Sequence, residues 1–329
     1  MNGIELSKKY FYDIAYPIFK NNCPEILDLC SIGLVGEGSE CFGLDDEISK
    51  DHDFGLGFCI WLKEDDVKIY KNRINSVLEK LPDEFLGYKK VESKLVDKRV
   101  GLFSLEDFYE KYTSARKFPI SDIDFLKIPE SFLATVTNGE IFLDNCKLFS
   151  DYRKYLLDFY PEDVLRKKLA AYLFQMAQAG QYNLKRSLDR NDISAVFFAK
   201  AEFMEALLGV LFLFAKVYMP YYKLRYKRLA QINYYPRDLF EDMNKFMESN
   251  HKKDLVYLSE KLSIYVKDIL KYRSITKSND DFLLAHAIEV QNSIINPQIK
   301  AINLVKGNWY EIFIYKYWQE LDERHTYRL

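Results

Sequence analysis

The stretch that decides the fold is GEGSECFGLDDEISKDHDFGLGFCIWL, residues 36–62. An apolar run that ends in glycine, CSIGLVG over residues 30–36, leads into it and predicts a buried strand. Glycines at positions 36, 38 and 43 then interrupt the pattern, and an acidic loop follows. Residues 52–62 predict a second buried strand. The stretch therefore predicts two strands joined by a glycine-rich, acidic connection.

Two carboxylates stand at the start of the second predicted strand. Asp51 and Asp53 are two positions apart, so on a strand they face the same side at roughly 6.5–7 Å along the chain. Such a pair cannot bury its charge without a cation, and a hard divalent ion prefers oxygen ligands. We therefore predict that Asp51 and Asp53 bind Mg²⁺, with Mn²⁺ as the alternative ion. His52 points the other way and is expected to pack in the core.

Gly38 and Ser39 follow the first predicted strand. Glycine lets backbone approach a ligand closely, N–H groups at a helix start bind phosphate, and the serine hydroxyl adds a donor. The eleven residues from Glu40 to Lys50 are enough for a helical turn or two and a loop back to the adjacent strand. The sequence thus predicts a phosphate-binding turn beside a metal-binding carboxylate pair, an arrangement that phosphoryl or nucleotidyl transfer needs.

This order of residues resembles the signature of the DNA polymerase β nucleotidyltransferase superfamily, in which a hydrophobic residue, Gly-Ser, a spacer and Asp-x-Asp on a strand follow one another. More narrowly, the chain resembles a bacterial nucleotidyltransferase-like family of unknown function, related to the aminoglycoside and lincosamide nucleotidyltransferases. The resemblance spans residues 1–230, and the segments that carry it are residues 35–62, RVGLFSLEDFY (99–109), ATVTNGEIFLD (134–144), YPEDVLRKKLA with MAQAGQYN (160–183) and YMPYYK (218–223).

The resemblance implies an enzyme. Gly38 and Ser39 would hold the triphosphate of an NTP, and Asp51 and Asp53 would hold the metal. The expected activity is Mg²⁺-dependent transfer of a nucleoside monophosphate from NTP to the hydroxyl of an acceptor. A small molecule is the acceptor we expect, and an RNA or protein acceptor stays open.

One feature departs from the superfamily pattern. A third carboxylate usually lies on a later strand, but the strand RVGLFS carries none. Glu106 and Asp107 follow that strand and Glu92 precedes it; we take Glu106 as the candidate third catalytic carboxylate. The departure supports a second hypothesis, in which the protein is a catalytically weak nucleotide-binding module with a regulatory, toxin–antitoxin or defence role.

The pattern of the chain changes after about residue 120, and from residue 149 nearly every segment has helical periodicity. We predict an α+β fold. Residues 1–120 form the nucleotidyltransferase α/β domain with a small mixed sheet, and residues 121–329 form a helical bundle that covers substrate and nucleotide. The predicted helices are 4–21, 64–80, 122–134, 149–158, 162–179, 192–217, 219–230, 236–246, 251–271, 278–292 and 306–323, and further strands are predicted within 86–93, 98–104 and 137–145.

Three residues of the helical half are candidate nucleotide contacts. Gln181 and Arg186 follow a helix break at Gly180, and the alternative is that they stabilise the helix junction. Lys223 lies in PYYK and has the length to reach a phosphate, the alternative being an ordinary interface lysine.

Composition limits the partners and the cellular environment that we expect for the protein. The net charge of −2 gives no global basic field, so a nucleic-acid partner is not indicated, although it is not excluded. The five cysteines show no zinc-binding spacing and are expected to be reduced thiols in a cytoplasmic protein. The most apolar stretch, residues 206–215, is about half the length that spans a bilayer, so we expect no membrane association. The sequence does not predict the oligomeric state.

Overall fold

The computed structural model describes residues 1–46, 55–90 and 99–304. Asp51, Asp53, Glu92 and the predicted helix 306–323 lie outside these residues. The chain divides into two compact units. Unit 1 comprises Met1–Ile120, Glu130–Phe159 and Pro220–Leu224, and unit 2 comprises Ser121–Pro129, Tyr160–Met219 and the described residues from Arg225 onward. The predicted α+β class is confirmed, with a small mixed sheet and a helical bundle region.

Six strands are present in the described residues. They are β1 (Ser31–Leu34), β2 (Cys59–Leu62), β3 (Glu84–Phe85), β4 (Tyr88–Lys89), β5 (Gly101–Ser104) and β6 (Glu140–Asp144). Four of them form one sheet in the order β5-β2-β1-β6, and β3 with β4 forms a separate hairpin. β1 pairs antiparallel with both β2 and β6, whereas β2 pairs parallel with β5. The sheet is therefore mixed.

The inner strands β1 and β2 are buried at all four of their residues. This explains why they are continuous apolar runs in the sequence rather than alternating ones. Gly33 is required in β1 because a Cβ there would collide with the Glu140 carbonyl of β6. β6 lies within residues 121–329, for which the sequence predicts a helical bundle.

The helices of the first half of the chain belong to unit 1, except for α6 of unit 2. They are α1 (Gly3–Tyr10), a π-helix (Phe11–Ala15), α2 (Tyr16–Asn22), α3 (Pro24–Leu29), a 3₁₀ helix (Ser39–Phe42), α4 (Glu64–Leu78), α5 (Leu105–Thr113), α6 (Asp122–Lys127, in unit 2), α7 (Glu130–Thr137) and α8 (Leu148–Leu157). The helix predicted over 122–134 is two helices, α6 and α7. Pro129 lies at the break, and its ring removes a backbone donor.

Side-chain alternation along β2 divides the core of unit 1. Ile60 belongs to the cluster formed with the N-terminal helices, where Phe11 lies 5.4 Å from Phe58 between ring centroids. Trp61 contacts the other set of helices, with ring centroids 4.4 Å from Phe149 of α8 and 5.4 Å from Phe108 of α5. Helices thus pack on both faces of the sheet.

Unit 2 is helical apart from its connections. Its further helices are α9 (Glu162–Met176), a π-helix (Ala177–Asn183), α10 (Leu184–Asp189), α11 (Ile193–Ala215), α12 (Arg225–Gln231), α13 (Arg237–Glu248), α14 (Lys252–Tyr272), α15 (Leu283–Asn292) and α16 (Pro297–Lys300). α11 packs closely on α9 and on the π-helix that follows it. Gly209 of α11 leaves room for the Tyr172 ring of α9, and Gly180 of the π-helix leaves room for the Phe203 ring of α11. Among the described helices, none has the length and apolar character needed to cross a membrane.

Candidate functional site

The sheet topology brings three segments of unit 1 to one edge. β1 runs antiparallel to β2, and β2 runs parallel to β5. The carboxyl end of β1 therefore lies beside the amino ends of β2 and β5. A cavity of about 390 Å³ opens at this edge. Its lining includes Leu34 at the end of β1, residues 35–37 after it, Gly55 and Gly57 before β2, Arg99 before β5, and residues of α5.

Gly38 and Ser39 follow β1 in the chain and lie in sequence between Glu37 and Glu40, which line the cavity. Gly38 is the N-cap of the 3₁₀ helix that begins at Ser39, and its carbonyl accepts the Cys41 N–H at 3.0 Å. The helix ends at Phe42, and its C-cap Gly43 has a φ of +65°, in the left-handed region that favours glycine. The structure thus has the strand, turn and helix order that the sequence predicts here, and the phosphate-binding role of the two residues stays a prediction.

A largely buried ion pair covers Gly38. Arg99 Nη2 donates to Glu40 Oε1 at 2.8 Å, and the two side chains are only 17% and 13% exposed. A Cβ on Gly38 would collide with both groups, so the pair rests directly on the glycine. Burial raises the pKa of the Glu40 carboxyl, and the nearby Arg99 charge opposes that rise.

Sequence reasoning missed this pair. Its partners are 59 positions apart, and no local spacing connects them. The signal in the sequence that could have indicated this pair is Arg99, the first residue of the segment RVGLFS that predicts a strand.

A second charged group lines the same cavity. The Tyr112 hydroxyl donates to Glu37 Oε1 at 3.1 Å, and Lys111 Nζ lies 3.9 Å from the same oxygen. Tyr112 is 6% exposed, and its burial, followed by the Glu37 charge, raises the pKa of its hydroxyl well above the usual range. The tyrosine is therefore a hydrogen-bond donor at neutral pH, and it holds Glu37 at the cavity.

The structure places Glu106 away from this cavity. Glu106 Oε2 accepts the Glu64 N–H at 3.0 Å and the Ser104 hydroxyl at 3.2 Å, so it caps the start of α4. The next residue, Asp107, does line the cavity, and its carboxylate is 2.8 Å from Arg116 Nη1. Within the described part of the chain, no three His, Cys, Asp or Glu side chains are grouped so that they could hold a metal ion. The catalytic role of Glu106 stays a prediction.

The candidate nucleotide contacts of unit 2 take part in its internal packing. Gln181 Nε2 donates to Glu260 Oε2 and to the Asp281 carbonyl, both at 2.8 Å, and its Oε1 accepts the Leu283 N–H at 2.9 Å. Arg186 stacks over the Tyr182 ring at 4.8 Å. These contacts are those of a helix junction, the alternative given above, and binding of nucleotide by either residue is untested.

Lys223 belongs to unit 1 through the short segment Pro220–Leu224. The ring of Tyr221 in this segment packs edge-on against Phe42 of the 3₁₀ helix, with centroids 6.1 Å apart. Lys223 itself is exposed, with Nζ 6.0 Å from the Tyr222 ring centroid, and it does not line the cavity. Its predicted contact with a phosphate is untested.

Residues 125–225 match a family model described as a domain of unknown function, DUF4037. The match covers less than a third of the chain, and it includes β6 and the TNGE turn before it but not residues 36–62. Comparison with curated proteins gave no match, and comparison with solved structures gave none either.

Proposed function

We propose that the protein is a Mg²⁺-dependent nucleotidyltransferase that moves a nucleoside monophosphate from NTP to an acceptor hydroxyl. One observation carries this proposal. A single cavity is lined by the segment between β1 and the Gly38-Ser39 turn, by the entry to β2 and by the entry to β5. This convergence is what the resemblance to the nucleotidyltransferase superfamily implies for a site of this class.

The position of Asp53 in the sequence is compatible with that site. Gly55 lines the cavity and is two residues after Asp53. Two extended residues span at most roughly 7 Å, and we propose that the Asp53 carboxylate acts on a ligand at this cavity. Asp51 and Asp53 are hard oxygen donors suited to Mg²⁺. When bound by them, the ion would neutralise charge on the phosphates and on the leaving pyrophosphate.

The described residues would supply the rest of the phosphate contacts. Gly38 has no side chain, which leaves room for the Arg99–Glu40 pair to pack against its backbone. Arg99 presents a planar guanidinium whose donors match phosphate oxygens, and its bond to Glu40 fixes its orientation. Lys111 adds a second positive charge to the cavity.

A specific observation favours the alternative, a nucleotide-binding module with little turnover. Three carboxylates among the described residues line the cavity: Glu37, Glu40 and Asp107. Each has a donor beside it, from Tyr112, Arg99 and Arg116 respectively. Each of these carboxylates thus already accepts a hydrogen bond within the protein, whereas a general base must accept the hydrogen bond of the acceptor hydroxyl.

The test is the Asp53→Asn variant, with Asp65→Asn as the matched control because the Asp65 side chain is 92% exposed on α4. If the metal supplies about 4 kcal/mol of transition-state stabilisation, loss of a ligand slows turnover roughly a thousandfold. We expect Asp53→Asn to fold normally and to lose Mg²⁺-dependent NTP consumption, and the control to keep it. Undiminished consumption in Asp53→Asn would refute the assignment.

Calorimetry and product release separate the two proposed functions. Titration with NTP and Mg²⁺ measures binding, and a pyrophosphate assay across small-molecule, RNA and protein acceptors measures transfer. Binding together with pyrophosphate release supports the enzyme. Binding with no release for any acceptor supports the regulatory module.

A further inference from the structure

The loop that carries Gly38 and Ser39 is held by a side chain from a distant part of unit 1. Asn138 Oδ1 accepts the Gly36 N–H at 3.1 Å, and Asn138 Nδ2 donates to the Gly36 carbonyl at 2.7 Å. Both polar atoms of Gly36 are therefore bonded to one amide group. The orientation of that amide is fixed by chemistry, since only Oδ1 can face a donor and only Nδ2 can face an acceptor.

The residue after Asn138 holds the other end of the same loop. The Gly139 N–H donates to the Cys41 carbonyl at 2.8 Å. Gly139 has a φ of +65°, and a Cβ there would collide with the Leu34 carbonyl, so only glycine fits. Gly38 and Ser39 thus lie between two points of attachment, Gly36 and Cys41.

The turn that makes these attachments is itself anchored. Arg153 of α8 donates to the Thr137 carbonyl at 2.8 Å and to the Gly139 carbonyl at 3.2 Å. Burial of Arg153 lowers the pKa of its guanidinium, although the group stays charged at neutral pH. These hydrogen bonds therefore hold the turn at residues 137–139 in one conformation.

We propose that Asn138 is a positioning residue that fixes the Gly36–Cys41 loop for binding a metal-bound diphosphate or triphosphate group. The inference rests on the proposed function and deepens it. A loop with glycines at 36 and 38 gains little conformational restriction from its own side chains, so a bound geometry must be imposed by neighbours. The two hydrogen bonds between Asn138 and Gly36 supply this restriction at the start of the loop.

The proposal also gives the DUF4037 match a physical meaning. The matched residues 125–225 include Asn138, Gly139 and Arg153 but not the loop that they hold. We infer that the part of the matched segment that belongs to unit 1, which contains these three residues, supports the ligand-binding loop of that unit.

The experiment compares Asn138→Ala with Asn145→Ala in the full chain. Asn145 is the matched control because it follows β6 and its Nδ2 also donates to a backbone carbonyl, that of Leu27, at 3.2 Å. Calorimetry measures affinity for inorganic pyrophosphate with Mg²⁺ and for ATP with Mg²⁺, and urea unfolding measures stability. We expect at least a tenfold loss of pyrophosphate affinity in Asn138→Ala, about 1.4 kcal/mol, and less than a twofold change in the control.

An isosteric variant guards against a general folding effect. Asn138→Asp keeps the acceptor for the Gly36 N–H but replaces the donor with an oxygen beside the Gly36 carbonyl. We expect it to lose at least as much pyrophosphate affinity as Asn138→Ala. Hydrogen exchange in the unliganded protein should show faster exchange confined to residues 36–41 in both variants.

The outcomes separate this inference from the proposed function. Wild-type protein that binds pyrophosphate through Asn138 but transfers no nucleotide supports the inference and refutes the enzyme. Wild-type protein that turns over while Asn138→Ala binds pyrophosphate unchanged refutes the inference and leaves the enzyme. Wild-type protein that binds neither probe refutes both, and equal affinity losses in the position 138 and position 145 alanine variants refute the inference.

Discussion

Replacement of Gly38 by alanine tests whether the ion pair above it defines the site. The backbone at Gly38, with φ −67° and ψ 147°, is open to alanine, so no backbone strain is added. The added Cβ would instead collide with Arg99 Nη2 and Glu40 Oε1, whereas ordinary contact begins at about 3.4 Å. Because the two groups bond each other at 2.8 Å, both must move away from the glycine together or separate.

The expected cost follows from these contacts. Overpacking of a filled site costs about 1–3 kcal/mol, and separation of a buried pair that leaves one charge unpaired costs about 3–5 kcal/mol. Both side chains of this pair retain some exposure, so partial relaxation is available and we expect a loss of about 2 kcal/mol in the free energy of unfolding. Displacement of Arg99 should also weaken binding of Mg²⁺ and pyrophosphate.

The assay is a double-mutant cycle read by urea unfolding. In a background that carries Arg99→Ala and Glu40→Ala, the three atoms nearest to that Cβ are removed, and Gly38→Ala should change the free energy of unfolding by less than about 1 kcal/mol in either direction. Gly43→Ala is the control because a Cβ there meets no atom within 4 Å, and its cost comes from the positive φ alone. That cost should be the same in both backgrounds. A Gly38→Ala cost that does not depend on the background would refute the reasoning.

Two further predictions concern stability. Lys167 is fully buried, with Nζ 2.9 Å from Gln291 Oε1 and 2.7 Å from the Ile302 carbonyl, and burial lowers its pKa from 10.5 to about 8. The unfolded chain therefore binds more protons between these values, so stability should rise by about 2 kcal/mol between about pH 7.5 and 9.5 in wild type relative to Lys167→Met; parallel pH profiles in urea unfolding would contradict this. The Tyr109 hydroxyl is buried without a hydrogen-bond partner in the described part of the chain, so Tyr109→Phe should leave the melting temperature unchanged or raise it. A clear fall in the melting temperature would show that the hydroxyl has a partner.

The local periodicity of the sequence was enough to predict the fold class and most of the helices and strands. The helix predicted at 251–271 is Lys252–Tyr272, and the strand predicted within 137–145 is Glu140–Asp144. Patterns with periods of 3.6 and 2 residues need only neighbouring residues. The helix predicted from residue 219 begins only at Arg225. Residues 220–224, which the sequence predicts as its first turn, pack in unit 1 instead. That difference arises from tertiary packing, which overrides local propensity.

The candidate site likewise has some features that the sequence alone predicts and others that depend on the tertiary structure. The sequence by itself determined that Gly38 and Ser39 follow a buried strand, because strand, glycine and helix signals are contiguous there. Only the tertiary structure decided what surrounds them. Arg99 and Asn138 reach this loop across 59 and 102 positions, and Glu106 caps α4 while Asp107 lines the cavity. Such contacts depend on which strand ends the sheet order places side by side, and no local spacing in the chain records that order.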